Sequence, residues 1–297
     1  MDLIDSLTDR LLFAIPKKGR LYDKCVSLLK NADIAFNRSN RLDIALCTNL
    51  PIALVFLPAA DIPTFVGEGK CDLGITGIDQ VRESGVDVDV LMDLEFGKCN
   101  LQVQAPAKGS YTKPEQLIGK TVVSSFINLT SQYFSELEGT TTDKIKTTVK
   151  YVGGSVEAAC ALGVADAVVD LVESGETMRA AGLTAIATVL PTSAHLIASK
   201  HPNSDSSLIN TVTGRITGVL TAQKYVYCTY NAIESHLPAL LKITPGRRAP
   251  TISKLSESTW VAVSIMILRK DTGFIMDQLQ KNHAEDIMIF EISNCRV

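Results

Sequence analysis

The sequence predicts an α/β protein: two blocks of alternating strands and helices, followed by a third domain of a different kind. Three observations predict it. The chain has 297 residues, 46% of them apolar, which is enough for a sizeable core divided over two or three domains. From residue 11 onward, strand-length apolar runs alternate with helix-patterned segments, the rhythm of parallel βαβ units. From residue 222 that rhythm gives way to the order βαββαβ, the ferredoxin-like pattern.

In the first block, "LLFAIP" reads as a strand and "RLYDKCVSLLKNA" as a helix with apolar spacing of three and four. "IALVFLP" is a buried strand, "ADIPTFVGEGK" a short helix closed by glycines, "CDLGITG" a strand and "IDQVRESG" a helix. "DVLMDLEFG" and "LQVQAPA" follow as strands, and the block ends near residue 104. The second block opens at "KPEQL", where Pro114 starts a short helix. A strand over 121–126, the helix "NLTSQYFSELEG" and the strand "KTTVKYVGG" come next. "SVEAACALG" reads as a helix with Ser155 as N-cap and Glu157 in its first turn. The strand "DAVVDLV" and a helix around "TMRAAG" lead into the long extended run "AIATVLPTSAHLIASK", suited to carrying the chain back to the first lobe. A helix, "LINTVTGRITGVLTAQ", precedes the third domain. These readings place a first lobe at 1–104 with 191–221, a second at 105–190 and a third domain at 222–297.

Composition excludes several functions. The net charge is −3, so no bulk basic field marks a nucleic-acid binder, and an anionic ligand must be held by local groups. No apolar run approaches a membrane span, and the N-terminus lacks the order of a secretory signal. The seven cysteines are scattered and form no CxxC pair, and the four histidines are dispersed. Reduced thiols in a cytoplasmic protein without a zinc site are expected.

Chemistry concentrates at a few turns. In "VVDLVESGET" a strand carries Asp170 and then breaks into a small, hydroxyl-rich turn. Gly175 permits close backbone approach, and the amides of 174–177 with the hydroxyls of Ser174 and Thr177 can point at a phosphate. Asp170 suits ribose hydroxyls or a magnesium ion bound to them. The arrangement reads as a sugar-phosphate grip or as an ordinary strand–turn–helix junction. "AIPKKGRLYDK" sets Lys17 and Arg20 where strand gives way to helix, a place for polyphosphate or a solvated basic turn. "CDLGITGIDQ" puts Thr76, Gly77 and Asp79 at a strand end. "DLEFGKCNLQV" puts Glu95, Gly97 and Lys98 at a crossover between blocks. Phosphate-friendly turns in two facing lobes imply a ligand cleft.

The run "EAACALGVADAVVDLVESGETMRAAGL", with Glu157, Gly163, Asp170, Gly175, Thr177, Gly182 and Leu183 in register, resembles the signature of the ATP phosphoribosyltransferase family. "PKKGRL", "CDLGITG", "DLEFGKCNLQV" and "PGRRAPTISKL" also fall where that family has such segments, and the likeness runs end to end, including the C-terminal domain of the long, fungal-type form. Glu173 departs from it, standing where many members have a small or hydroxyl residue. The resemblance implies that ATP and phosphoribosyl pyrophosphate react, with Mg2+, to give phosphoribosyl-ATP and pyrophosphate. It implies catalytic lobes similar to type II periplasmic binding proteins and an ACT-like regulatory domain that binds histidine as inhibitor. It also implies assembly as a homo-oligomer, dimer to hexamer, with no nucleic-acid or membrane partner.

Carried onto this chain, Asp170 and Glu157 would be the catalytic residues and would hold the ribose and its metal. Asp166, Asp170, Glu173, Ser174, Gly175, Glu176 and Thr177 would bind phosphoribosyl pyrophosphate. Lys17, Arg20, Thr76, Gly77, Asp79, Glu95 and Lys98 would serve ATP or pyrophosphate. Thr251 and Ser253 in "APTISKL" would meet the regulatory amino acid. The lack of any Ser-His-Asp or Cys-His constellation fits a displacement at a cationic sugar, which needs orientation and charge stabilisation rather than a protein nucleophile. Two rivals are a non-catalytic two-lobed nucleotide or amino-acid binding protein with a sensor domain, and a phosphoribosyltransferase acting on a free base.

Overall fold

A computed structural model describes residues 7–38, 42–256 and 259–296. The first six residues of the N-terminal segment and two of the "SESTW" corner lie outside them. The chain forms two compact units, one of Met1–Val26 with Phe36–Asp205 and one of Ser27–Ala35 with Ser206–Val297.

The first unit holds two sheets. β1 (Leu11–Pro16), α1 (Tyr22–Asn31, whose second half groups with the second unit), β2 (Ile44–Leu46), β3 (Ile52–Leu57), α2 (Ile62–Gly67), β4 (Leu73–Gly77), α3 (Ile78–Ser84) and β5 (Asp89–Asp93) run in sequence. They are joined by β11 (Ala194–Ala198) in a six-stranded sheet of order β2-β3-β1-β4-β11-β5. β1 lies parallel to β3 and β4, and every residue of β4 is buried, as a central strand covered on both faces requires. α3 stops at Gly85, which takes the left-handed conformation (φ +65) that ends helices.

The second sheet contains β6 (Cys99–Pro106), β7 (Thr121–Ser124), β8 (Thr148–Tyr151), β9 (Ala167–Val172) and β10 (Leu183–Thr192), in the order β10-β6-β9-β7-β8. Its helices are α4 (Ile127–Glu138), α5 (Ala158–Ala161) and α6 (Glu176–Ala180). Leu101, Val103, Val122, Phe134 and Val169 form its core with no exposed surface.

Both sheets are mixed rather than parallel. β11 runs antiparallel to β4 and β5, and β6 antiparallel to β9 and β10. β6, placed with the first block by its sequence position, belongs to the second sheet. The first lobe therefore ends at Asp93, not near 104, and the chain crosses at 94–98 and returns at Ser193. Apolar alternation marks a strand without naming its partners.

In the second unit, α7 (Ser206–Lys224) precedes β12 (Tyr225–Ile233), α8 (Leu237–Ile243), β13 (Thr251–Lys254), β14 (Trp260–Leu268), α9 (Thr272–Lys281) and β15 (Glu285–Glu291). The four strands form an antiparallel sheet of order β13-β14-β12-β15, and Leu240 of α8 and Leu279 of α9 are buried in its core. This is the expected βαββαβ order. α7 groups with this unit, whereas the sequence reading put 206–221 with the first lobe.

Candidate active site

Two crossings fix how the lobes of the first unit meet. The Leu94 amide donates to the Ala194 carbonyl at 2.9 Å, the Ala194 amide to the Phe96 carbonyl at 3.0 Å and the Ile78 amide to the Ser193 carbonyl at 3.0 Å. Asp79, 1% exposed, accepts from the Thr192 hydroxyl at 2.5 Å, so the first turn of α3 is bonded to the end of β10 in the other lobe. Gly77 makes this possible: a Cβ there would sit 2.1 Å from Asp79 Oδ1. Arg20 donates to the Gly97 carbonyl at 3.0 Å, which brings the basic turn to the crossover.

The cleft so formed has three neighbouring cavities that share lining residues. One of about 230 Å³ is lined by Arg20 and Cys99 on one side and by Glu173, Ser174, Gly175, Glu176 and Thr177 on the other. One of about 580 Å³ lies beside the crossings and is lined by Lys98, Glu173, Arg82, Asp93, Asn100 and His195 among others. A third, of about 160 Å³, reaches Lys18, Gly19, Arg20, Gly77 and Asp79. Arg20 lines two of the three and faces the 174–177 turn directly.

That turn is built for close approach. Gly175 is buried at φ +75 and caps α6, and the Ser174 hydroxyl accepts from the Glu176 amide at 3.3 Å. The Arg179 guanidinium donates to the Ser174 carbonyl at 3.1 Å, folding the loop back on its helix. Asp170, half-buried, accepts from the Leu171 amide at 2.8 Å. Burial pushes its carboxyl up, the Leu171 amide opposes that, and the charge of Glu157 pushes it further up. Glu157 and Asp170, thirteen residues apart, are thus within electrostatic reach of each other. Burial also raises the Cys99 thiol, with Arg20 pulling it back, so Cys99 is a neutral wall rather than a nucleophile.

Several sequence-predicted residues sit elsewhere. Asp166 lies at the opposite end of β9 from the turn, about 13 Å from Asp170 along an extended strand and farther still from the turn. Its two oxygens accept from Tyr111 Oη at 3.1 Å and the Thr121 amide at 2.9 Å, a structural duty. Residues 166, 168 and 170 share one face of the strand, so alternation could not separate its two ends. Lys17 points toward Asp43 at 3.9 Å and lines none of the three cavities; Lys18 does. Thr76 is fully buried and donates to the Ala59 carbonyl at 2.7 Å. Glu95 takes a left-handed turn at φ +63, its amide donating to Asp93 Oδ1. Ser155 is not the N-cap of α5: it has φ +48, and Glu157 holds that position. Thr251 and Ser253 are exposed on β13, at the edge of the third domain's sheet. Sequence reading missed Arg82, Asp93, Thr192 and His195; they come together on one cavity beside the crossings only once the sheets are paired.

Among the described residues no group of three or more His, Cys, Asp or Glu side chains is placed to hold a metal by itself. The Asp170–Glu157 pair does fit a divalent cation arriving on a substrate. The charge of Glu157 is one of the two influences that raise the Asp170 carboxyl, after burial, and a cation bound between them offsets it.

A family model described as HisG: ATP phosphoribosyltransferase matches residues 58–218, and one described as HisG, C-terminal domain, matches 222–294. The ATP phosphoribosyltransferase of Kluyveromyces lactis is 72% identical over 297 residues, covering 100% of both chains, and that of Saccharomyces cerevisiae is 70% identical with the same coverage. Among solved structures, an ATP phosphoribosyl transferase (HisG:HisZ) complex from Thermotoga maritima superposes with a TM-score of 0.58 at 22% identity, over 70% of this chain and 96% of that one. Tv2483 bound to L-arginine superposes at 0.50 and 13% identity, over 71% and 85%. At those identities the likeness is one of fold: a two-lobed, type II periplasmic-binding-protein-like pair of sheets.

Proposed function

The chain belongs to the ATP phosphoribosyltransferase family, a family of pentosyltransferases, and from that premise we propose that its cleft joins ATP to phosphoribosyl pyrophosphate. Adenine N1 attacks C1 of the ribose; the N–C bond forms as the bond from C1 to the pyrophosphate oxygen breaks, and pyrophosphate leaves. The observation that carries this reading is the meeting of Arg20 from one lobe with the Gly175 turn from the other across a single cavity. The turn takes the 5′-phosphate on its backbone amides, and Arg20 with Lys98 takes the phosphates of the leaving group or of ATP. Asp170 accepts from the ribose hydroxyls and, with Glu157, lies near the positive charge that develops on the sugar. Asp170 and Glu157 would hold Mg2+ arriving with the pyrophosphate, and bound there it supplies charge neutralisation of the leaving group. No group on the protein needs to become covalently attached.

In the same reading the C-terminal domain senses histidine and restrains the site, with Thr251 and Ser253 offering hydroxyls on an exposed edge strand. The match of residues 222–294 to the family's C-terminal domain supports that assignment. The working form is a homo-oligomer. The test is pyrophosphate release: it should require both ATP and phosphoribosyl pyrophosphate, fail with adenine in place of ATP, and fall on adding histidine. Release with adenine would replace the reading by a free-base transferase, and binding without release by a non-catalytic one. Hydrogen exchange with and without histidine locates the sensor. Protection confined to residues 1–221 would remove the third domain from that role.

A further inference from the structure

The N-terminus of α4 has no cap of its own. Phe126 holds the N-cap position without a side-chain capping bond, and no acid stands in the first turn. A helix leaves four N–H groups unpaired at that end. Here a carboxylate from elsewhere answers two of them. Glu83, near the end of α3, accepts from the Asn128 amide through Oε1 at 2.9 Å and from the Leu129 amide through Oε2 at 2.9 Å. The Glu83 carbonyl also accepts from Asn128 Nδ2 at 2.7 Å.

These bonds cross between lobes. α3 follows β4 of the first sheet; α4 follows β7 of the second. The two ends of α3 are therefore both tied to the other lobe, through Asp79 to Thr192 and through Glu83 to α4. The α4 side of the clasp is close to the chemistry: Ser124, the last residue of β7, donates to the Val169 carbonyl at 2.7 Å, next to Asp170. Asn128 is exposed and Glu83 half-buried, so the clasp can open without unfolding either lobe.

We propose that Glu83 is a positioning residue for the transfer reaction, holding the lobes at the separation where Arg20 faces the Gly175 turn. This rests on the cleft being the reaction site. Removing a charge-assisted clasp lowers the fraction of molecules with the cleft assembled, and apparent substrate affinity falls by that fraction. The loss expected in kcat/KM for both substrates is about tenfold to a hundredfold, less than two bonds to a buried charged acceptor would give, because water competes at this partly exposed clasp.

The experiment separates a strut from a helix cap. Glu83→Ala removes both roles. Adding Asn128→Asp to it puts an acid in the first turn of α4 and restores favourable charge there from within the second lobe. We measure Tm, kcat/KM and the distance distribution between spin labels placed on the two lobes, without substrate. In Glu83→Ala the distribution should lengthen and broaden as kcat/KM falls. The double variant should recover Tm but neither the distance nor kcat/KM. An unchanged distance in Glu83→Ala, or recovery of kcat/KM along with Tm in the double variant, overturns the proposal. If Glu83→Ala does not fold, Glu83→Gln, which keeps one acceptor oxygen, is read in the same way and should fall between wild type and the expected loss. A wild-type protein that releases no pyrophosphate, while the distances change as expected, refutes the site reading and leaves the clasp standing.

Discussion

Replacing Asp170 with Asn tests the grip at its most specific point. In the fold Asp170 Oδ1 already accepts from the Leu171 amide at 2.8 Å, and an Asn oxygen can keep that bond. What is lost is the negative charge and the acceptor positions that the Leu171 amide does not use. If two ribose hydroxyls meet those positions in the transition state, each charge-assisted bond contributes about 1.5–3 kcal/mol, or about 3–6 together. At about 1.4 kcal/mol per factor of ten, kcat/KM should fall by roughly 10²–10⁴-fold. Stability should move the other way. Burial, and then Glu157, hold the Asp170 carboxyl above its ordinary range despite the Leu171 bond. A carboxyl raised by folding costs the native state stability as pH rises through the folded pKa, and costs nothing below the unfolded one. Asn escapes that cost, so at pH 7 the variant should melt no lower than wild type, and any gain should vanish in acid. Steady-state pyrophosphate release and thermal melts at neutral and acid pH read both halves. Wild-type kcat/KM, or a Tm below wild type at pH 7, would refute the reasoning.

Arg20→Ala should raise KM for an anionic substrate and flatten its dependence on ionic strength, because an exposed charge contact is screened by salt; kinetics at two salt concentrations check this. Asp72 is buried and accepts from the Leu12 amide (2.9 Å), the Asn203 amide (2.7 Å), and the Ser204 amide (3.1 Å) and hydroxyl (2.9 Å). Asp72→Ala strands these donors and should cost about 3–5 kcal/mol in chemical denaturation. Burial is the largest single influence on Glu138 and raises it, but the hydrogen bonds from Lys146 and Thr147 and the Lys146 charge together outweigh it and hold the carboxyl below its usual range. Its contribution is present above the unfolded carboxylate pKa and is lost as pH falls through the folded one. Glu138→Gln should therefore lower Tm at pH 7 and match wild type in strong acid.

Much of this was legible in the residues. "LLFAIP", "CDLGITG" and "DAVVDLV" form the strands their apolar runs predict, and the βαββαβ tail needs only period counting. The Gly175 turn is legible because few residue types allow a left-handed residue at the start of a helix. The pairing of strands was not legible. β6 carries the same alternation whichever sheet it joins, so the domain boundary at 104 followed chain order instead of hydrogen bonds. Distance in sequence hid the rest. That α4 lacks a cap shows in "FINL", but nothing there names Glu83, 45 residues earlier. Asp166 and Asp170 look alike on one strand face, and only the direction of the neighbouring strands tells which end a ligand can reach.

The place of β11 between β4 and β5 has a consequence for how the protein is made. β5 has no other neighbour in its sheet, so when Asp93 leaves the ribosome it has nothing to pair with. Its partner His195 is about 100 residues away, and translation at 5–20 residues per second leaves a gap of roughly 5–20 s. The second lobe, contiguous over 99–192, can close within that gap, while the first waits as a half-finished sheet with the buried edge of β4 uncovered. Val90 and Leu91, 47% and 39% exposed even in the finished protein, are then an open apolar strand. A nascent chain stalled short of residue 194 should bind holdase chaperones through this edge, and one stalled well past residue 198 should not.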